Sequence, residues 1–496
     1  MAILVGGDIS GDADASQQAD RLRRRKQGEA EVSQVTSKET ESADVAAPAE
    51  TLTETRKAVW SSGVAFYPPS RKYWRIGGKW YDFSKYLSKH PGGSHVLELA
   101  RDRFEDCTFV FESHHHNYRR ARAVIKNYEV SDEIVQADGI LKRPQRGTQA
   151  VAHYDEALDS GKTVKLLEED SFYSVLRDRV AAHLRSVGCP AGGPTRACVI
   201  LFWVIFASWL LGWLLLLYTG SFLVVPILGV ASSLLGAFGH NWVHQPKYKF
   251  WAYLSLDTIG FSSNGWFREH NLQHHMYTNT PWDNHFKGTD PFLVTDPTVE
   301  RWFVQRVITP YLNPLILCFG VWGNYMFHLT ETIKGHEVVS PWKLVFPLQI
   351  AMAISCWGLI RGVLLILATY SVMSIWYFSL ALMNHNAEHC HDVRARNAAC
   401  DWGEAQLVSS ADWGVQMPFH KAWIYLWLNY HTVHHLFPRI DFSHHPQIQS
   451  ILMKTCDEFG VKYNAGRAVD IYKEMIHSFS TPLSLMQEVI VYSGGL

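Results

Sequence analysis

A small α+β module followed by an all-α membrane domain with about four transmembrane helices is the architecture this sequence predicts. Three observations carry it. Residues 199–383 contain uncharged apolar runs long enough to cross a bilayer. Residues 73–117 combine an aromatic hairpin pattern with a His-Pro-Gly-Gly turn. The 25 histidines are grouped rather than scattered.

The chain of 496 residues has room for two or three domains. A formal net charge of −1 and a pI of about 7.1 argue against a nucleic-acid partner held by bulk charge. The eight cysteines are spread out with no CxxC pair, which suits free thiols in a reducing compartment better than a disulfide framework. Residues 1–60 are polar, with an RLRRRK run and an Ala/Glu/Ser/Thr-rich stretch. They bury too little apolar surface to order themselves and read as a disordered tail.

The α+β module comes next. YWRIGGKWYDF (73–83) predicts two short strands joined at Gly77-Gly78. His90-Pro91-Gly92-Gly93 then leads into a helical stretch, and EDCTFVFESHHHN (105–117) brings three further histidines. Residues 136–196 read as an amphipathic connection on the cytosolic side.

A mean hydropathy of −0.08 hides the membrane half. Val199–Tyr218 is twenty residues without a charge, enough to span about 30 Å as a helix. After Thr-Gly-Ser, Phe222–Phe238 forms a second run, and so short a link makes the two a helical hairpin. Val345–Ile360 and Gly362–Met383, separated by Arg361, predict a second pair. Ile308–Thr330 is also uncharged but carries Pro310 and Pro314. It is read as interfacial or re-entrant, because four crossings return the chain to its starting side and five do not. Arg185, Arg196, Lys247 and Lys249 flank the first pair and predict that this side is cytosolic.

Four histidine groups adjoin the apolar runs: His240/His244, His270/His274/His275, His385/His389 and His431/His434/His435. Spacings of three and four residues put imidazoles on one helix face, where they can converge on a common point. Neutral imidazole is a good iron ligand, and ionisable groups near membrane depth are costly enough to mark function.

Two resemblances follow from these residues. Residues 68–135, through the aromatic hairpin, HPGG and the later histidine run, resemble the cytochrome b5 haem-binding domain. This implies haem b held by two axial histidines and used for electron transfer. His90 carries over directly. For the second ligand, raw spacing favours His114 and counting from Phe111 favours His115, which is the choice made here; His116 is the remaining alternative. Residues 197–480 form the second domain. HxxxH, HxxxHH and HxxHH at 240–244, 270–275 and 431–435 resemble the three boxes of the membrane fatty-acid desaturase and hydroxylase superfamily. That likeness implies a di-iron centre in a cytosolic helical cap, with His240, His244, His270, His274, His275, His431, His434 and His435 as ligands. The family's extra ligand falls on His389, with His385 four residues before it held less firmly. His391, His444 and His445 match nothing in the pattern.

The resemblance further implies O2 as co-substrate, a fatty-acyl lipid substrate, NADH-cytochrome b5 reductase as electron donor, and a multi-pass protein of the endoplasmic reticulum. The N-terminal module together with DWGEAQ (401–406) and HHLFP (434–438) resembles the b5-fused front-end desaturases. Their third box normally opens with Gln, where this chain has His431. The ESHHH and HTVHHLFP segments also resemble the cytochrome b5-related proteins. A hydroxylase on the same scaffold is the alternative chemistry, and a haem electron carrier with a vestigial second half is the alternative class.

Overall fold

The computed structural model describes residues 72–138 and 167–481, apart from 104–105, 116, 280–282, 284, 286–287, 297–298, 336, 338–339, 393–400 and 416. The expected N-terminal tail lies outside the described residues, as does His116.

The N-terminal module is built on a three-stranded antiparallel sheet in the order β1 (Trp74–Ile76), β2 (Lys79–Tyr81), β3 (Glu129–Val130). Gly77 and Gly78, at φ +61° and +77°, form the two-residue β1–β2 turn, which needs left-handed backbone at both positions. Helices Ser94–Arg103, Thr108–His114 and Tyr118–Ile125 follow, and Trp74, Tyr81, Phe83 and Phe111 are buried among them.

The second half is helical. Three helical stretches are long and apolar enough to cross a membrane: Arg196–Thr219, Phe222–Trp242 and Pro341–Met383. Leu211, Leu214, Leu223 and Ile360 point outward without cover, an arrangement suited to lipid and unsuited to water.

The third stretch is not straight. Gly358 takes φ 75° and ψ 166° and reverses the chain. As a result the Phe346 and Tyr370 rings stand 4.8 Å apart, where a continuous helix would separate them by about 36 Å. Gly362 lies against the backbone of Ala353 and Ile354, so close that a Cβ there would sit 2.7 Å from the Ala353 carbonyl oxygen. The sequence put the interruption at Arg361. The turn falls three residues earlier because only glycine reaches this backbone conformation without strain, and Arg361 instead caps a neighbouring turn.

That neighbour is Gly220, at φ +57°, which ends the first apolar helix. Arg361 donates to the Gly220 carbonyl at 2.8 and 3.2 Å, and the Trp357 indole donates to the carbonyls of Leu216 and Leu217. The two reversals thus pack together at one end of the bundle. His240, near the end of Val225–Trp242, and His385, two residues past Met383, mark the other end. Residues 308–330 break into helices beginning at Asn313 and Gly320, with Pro314 opening the first. The second of these has only 14 residues, and Tyr311, Leu315, Phe319 and Met326 are exposed along the segment.

Helix Phe172–Ser186, inside the stretch read as a connection, joins the two halves. Its buried Arg177 donates to the Glu112 carboxylate of the N-terminal module at 2.6 Å, and Arg122 meets the other oxygen at 3.0 Å. From the same helix, the Tyr173 hydroxyl donates to the Leu436 carbonyl of the last histidine segment at 2.6 Å.

A Gly220→Ala change brings a Cβ within 2.5 Å of the Trp357 ring and forces a left-handed residue. It is expected to cost at least roughly 1–2 kcal/mol. A fall in the thermal unfolding midpoint in detergent checks this, and an unchanged midpoint would contradict the packing of the two turns.

Candidate metal centre

Nine histidines converge at the end of the bundle opposite Gly220 and Gly358. Their nitrogens form two groups, each with ligand atoms within 4.8 Å of one another: His240, His244, His270, His275 and His434, and separately His274, His385, His431 and His435. Each chain segment is shaped to deliver them. His240 lies on the last turn of Val225–Trp242 and His244 just past its end. His270 and His274 lie on a π-helix, Phe267–His274, whose wider turn leaves His270 and His274 stacked 5.2 Å apart while His275 swings toward His244. His431, His434 and His435 occupy the short helix His431–Leu436.

The hydrogen bonds at the outer edge of these rings decide which nitrogen faces inward. Nδ1 of His274 meets the Asp283 carboxylate at 2.8 Å, Nδ1 of His385 the Ser409 carbonyl at 2.9 Å, and Nδ1 of His435 the Gln406 side-chain oxygen at 3.0 Å. Each partner is an acceptor, so each Nδ1 carries a proton and each Nε2 is turned inward. There Nε2 of His274 and Nε2 of His385 stand only 3.1 Å apart. Two imidazole nitrogens held that close need a cation to share, either a proton or a metal ion. In the other group, both ring nitrogens of His244 are buried without a hydrogen-bond partner among the described residues. Burial at this density carries a penalty that coordination would remove. The donor set therefore fits two metal ions of borderline softness.

Burial, reinforced by neighbouring imidazoles, holds His244, His270, His275, His385, His431, His434 and His435 well below the ordinary histidine pKa, so all are neutral and competent to ligate. Burial tends to raise Asp283, but the adjacent His274 outweighs it and brings its pKa down to about 2.

His389 does not enter either group, contrary to what the resemblance implied. The helix ends at Met383, and the short turn Glu388–His391 carries the His389 ring to the carbonyl of Ser410, at 3.1 Å. His385 occupies the converging position, touching both His274 and His431. His431, where the resemblance to front-end desaturases led to an expectation of Gln, sits within the four-histidine group at 2.8 Å from His385 and 3.1 Å from His435. His285 was not anticipated. It stacks on His270 and His274 at 5.3 and 5.0 Å and can join them as a third potential donor group. Asp283 was also missed, having no box spacing to signal it. Gln406 did have a signal, since it ends the DWGEAQ segment.

A small pocket opens beside the histidines, lined by His240, His431, His434, Leu426, Trp427 and Phe442, among others. Leu426 and Trp427 are both left-handed, at φ +53° and +55°, a strained pairing at a site wall.

In the N-terminal module, the His90 and His115 rings face each other with centroids 6.2 Å apart. Nδ1 of His90 is engaged by the Gly93 carbonyl and Nδ1 of His115 by the Phe111 carbonyl, at 3.1 and 2.7 Å, which leaves both Nε2 lone pairs free. Two metal–imidazole bonds of about 2 Å, together with the ring radii, span that separation. Gly92 makes room for the ring, since a Cβ there would lie 2.8 Å from the His90 imidazole. His114 turns elsewhere: its Nδ1 meets the Val110 carbonyl and the Ser113 hydroxyl.

An apolar helical bundle bearing buried, proton-poor imidazole clusters, fused to a module with an opposed histidine pair, defines a membrane-associated polyhistidine metalloenzyme. Comparison with known proteins makes this specific. Residues 219–467 match the Fatty acid desaturase family model, and residues 62–132 match the Cytochrome b5-like Heme/Steroid binding domain. The chain belongs to the fatty acid desaturase family, as an enzyme with a fused cytochrome b5 domain. It is similar to a probable Delta(5) fatty acid desaturase C of Dictyostelium discoideum, 24% identical over 78% of this chain and 86% of the relative. It is similar also to a cytochrome b5-related protein of Drosophila melanogaster, 25% identical over 81% and 86%. A third relative is the acyl-lipid (8-3)-desaturase of Mortierella alpina, 25% identical over 82% and 92%. The b5 domain implies haem and the family implies two irons.

The neutral histidines give the metal-free protein a pH signature. Burial holds His114 at about 4 and His115 at about 3, and the clustered imidazoles stay lower than normal as well. Below the ordinary value near 6.5 the unfolded chain takes up protons that the folded chain refuses, so stability falls as pH falls. The cost is about 1.4 kcal/mol per such histidine for each pH unit. Unfolding midpoints at pH 7.5 and 5.5 read this directly, and a flat profile would refute it.

Proposed function

We propose that this protein desaturates a fatty acyl chain carried on a lipid, using O2 and electrons received through its own haem domain. The observation that carries the reading is the pair of inward-turned Nε2 atoms of His274 and His385 facing each other at 3.1 Å inside a cluster of nine buried histidines. In this reading His240, His244, His270, His275 and His434 hold one iron, and His274, His385, His431 and His435 the other, with His385 in place of His389. His90 and His115 hold haem b. Two irons bound there would supply the removal of two hydrogens from adjacent carbons of the acyl chain, with O2 taken to two waters by those hydrogens, two added electrons and two protons.

The chain's own residues set the rest. Asp283, Ser409 and Gln406 fix the tautomers of His274, His385 and His435 and thereby aim their lone pairs. Leu426, Trp427 and Phe442 place apolar side chains beside His240, His431 and His434, where an acyl chain would approach the metals. The reversal at Gly358 and its packing on Gly220 support four crossings, with both reversals on the far side of the bilayer and all histidines on the cytosolic face. Endoplasmic-reticulum membrane and an NADH-dependent b5 reductase as electron source complete the reading. The chain's Delta(5) and (8-3) desaturase relatives favour a front-end position for the new double bond, and His431 is where this chain departs from the pattern expected of that branch.

Expression in yeast with lipid profiling by gas chromatography–mass spectrometry tests it. A new unsaturated fatty acid is expected, and His434→Ala should abolish it while leaving haem absorbance intact. His385→Ala should lower non-haem iron and His389→Ala should not. Hydroxylated products alone, or haem without non-haem iron in the purified protein, would overturn the proposal.

A further inference from the structure

The ESHHH run, read from sequence as three alternatives for one haem ligand, has its members facing different ways. His115 faces His90. The two residues before it face the second domain. The Ser113 hydroxyl donates to the thioether sulfur of Met276 at 3.5 Å, and Met276 is bonded directly to His275 of the five-histidine group. The carbonyl of His114 accepts from Arg439 Nη1 at 3.1 Å, and Arg439 lies four residues beyond His435 of the four-histidine group. A single turn therefore carries the expected haem ligand at one end and a hydrogen bond toward each iron group at the other.

Arg439 is the unusual member. It is well covered between the domains, and no carboxylate partner is found for it among the described residues. Reaching the His114 carbonyl from four residues past His435, it stands where the haem module meets the last histidine segment. A cation there that pairs with a backbone carbonyl and not with an acid has donors left over. The anionic edge of a bound haem is a chemically suitable acceptor for them.

We propose that the Ser113–His115 turn is the electron bridge between the haem site and the iron site, and that Arg439 is the positioning residue that keeps it there. The inference rests on the proposed desaturase reading. One electron per transfer leaves the haem iron, which goes from ferrous to ferric, and one iron of the histidine clusters goes from ferric to ferrous. Two such transfers serve each double bond, and the reductase restores the haem. Arg177 on Glu112 fixes the helix that leads into the turn. Arg439 fixes the turn itself, and its positive charge favours the reduced haem.

The experiment uses the full-length protein loaded with haem and iron, as wild type, Arg439→Ala and Arg439→Lys. Three readouts are taken: re-oxidation of pre-reduced haem in a single turnover with acyl substrate and O2, the reduced fraction of haem at a fixed solution potential, and amide hydrogen exchange across 107–115. In Arg439→Ala, re-oxidation should slow at least tenfold, the reduced-to-oxidised ratio should fall severalfold, and exchange in the turn should rise, with the six-coordinate haem spectrum retained. Arg439→Lys keeps the charge, so it should restore the reduced fraction and recover only part of the rate. If Arg439→Ala loses haem, the Lys variant carries the test, and a wild-type rate with wild-type exchange in it overturns the bridge. Rate and exchange within twofold of wild type in the Ala variant overturn it too. A wild-type haem that the iron site never re-oxidises defeats the desaturase reading itself, a result distinct from either variant outcome.

Discussion

Everything in this protein is subordinate to one electrostatic constraint: nine imidazoles, most of them held below the ordinary histidine pKa by burial, are pressed together with their ring nitrogens within a few ångströms. In water such rings would separate or protonate. Here burial disfavours the proton and packing holds the rings in place, so crowded nitrogens repel and bound cations would relieve the repulsion. The outer hydrogen bonds make that repulsion specific. Asp283, Ser409 and Gln406 each remove one choice of tautomer and leave one nitrogen aimed inward. Asp441 serves the same end at longer range, accepting from the Trp242 indole at 2.9 Å and so tying the first box to the segment after the last.

The apolar bundle supplies the rigidity this demands. A cluster assembled from four separate chain segments holds its shape only if the segments are anchored elsewhere. Here the anchor is the pair of reversals at the opposite end, where Arg361 caps the Gly220 carbonyl and Trp357 bonds the last turn of the first helix. Between the ends, side chains such as Tyr370, Tyr377 and Leu235 are fully enclosed.

Much of this could be read in the residues. The boxes were legible because ligand spacing on a helix is a local property, and the β1–β2 turn because Gly-Gly takes two adjacent left-handed positions without strain. The choice of His115 rested on its distance from Phe111, and the structure puts its Nδ1 on the Phe111 carbonyl four residues back. What could not be read was tertiary. His385 and His389 both follow the last helix at ligand-like spacing, and only the turn at Glu388–His391 separates them. Asp283 and Arg439 act through partners 9 and 325 positions away in the chain. Arg361 looked like the break between two spans because a charge interrupts hydropathy, whereas backbone geometry assigned the break to Gly358.

The buried contact of Arg177 with Glu112 also bears on kinetics. A diffusing electron carrier meets its acceptor at a rate set by its concentration, and a membrane enzyme with such a donor competes with every other client. A carrier held by helix Phe172–Ser186 faces its acceptor at the high effective concentration of a short tether. On the proposed reading, delivery becomes first order, independent of how much carrier the cell makes. Supply is then limited at the refilling of the haem by its reductase, the one encounter in the sequence that remains bimolecular.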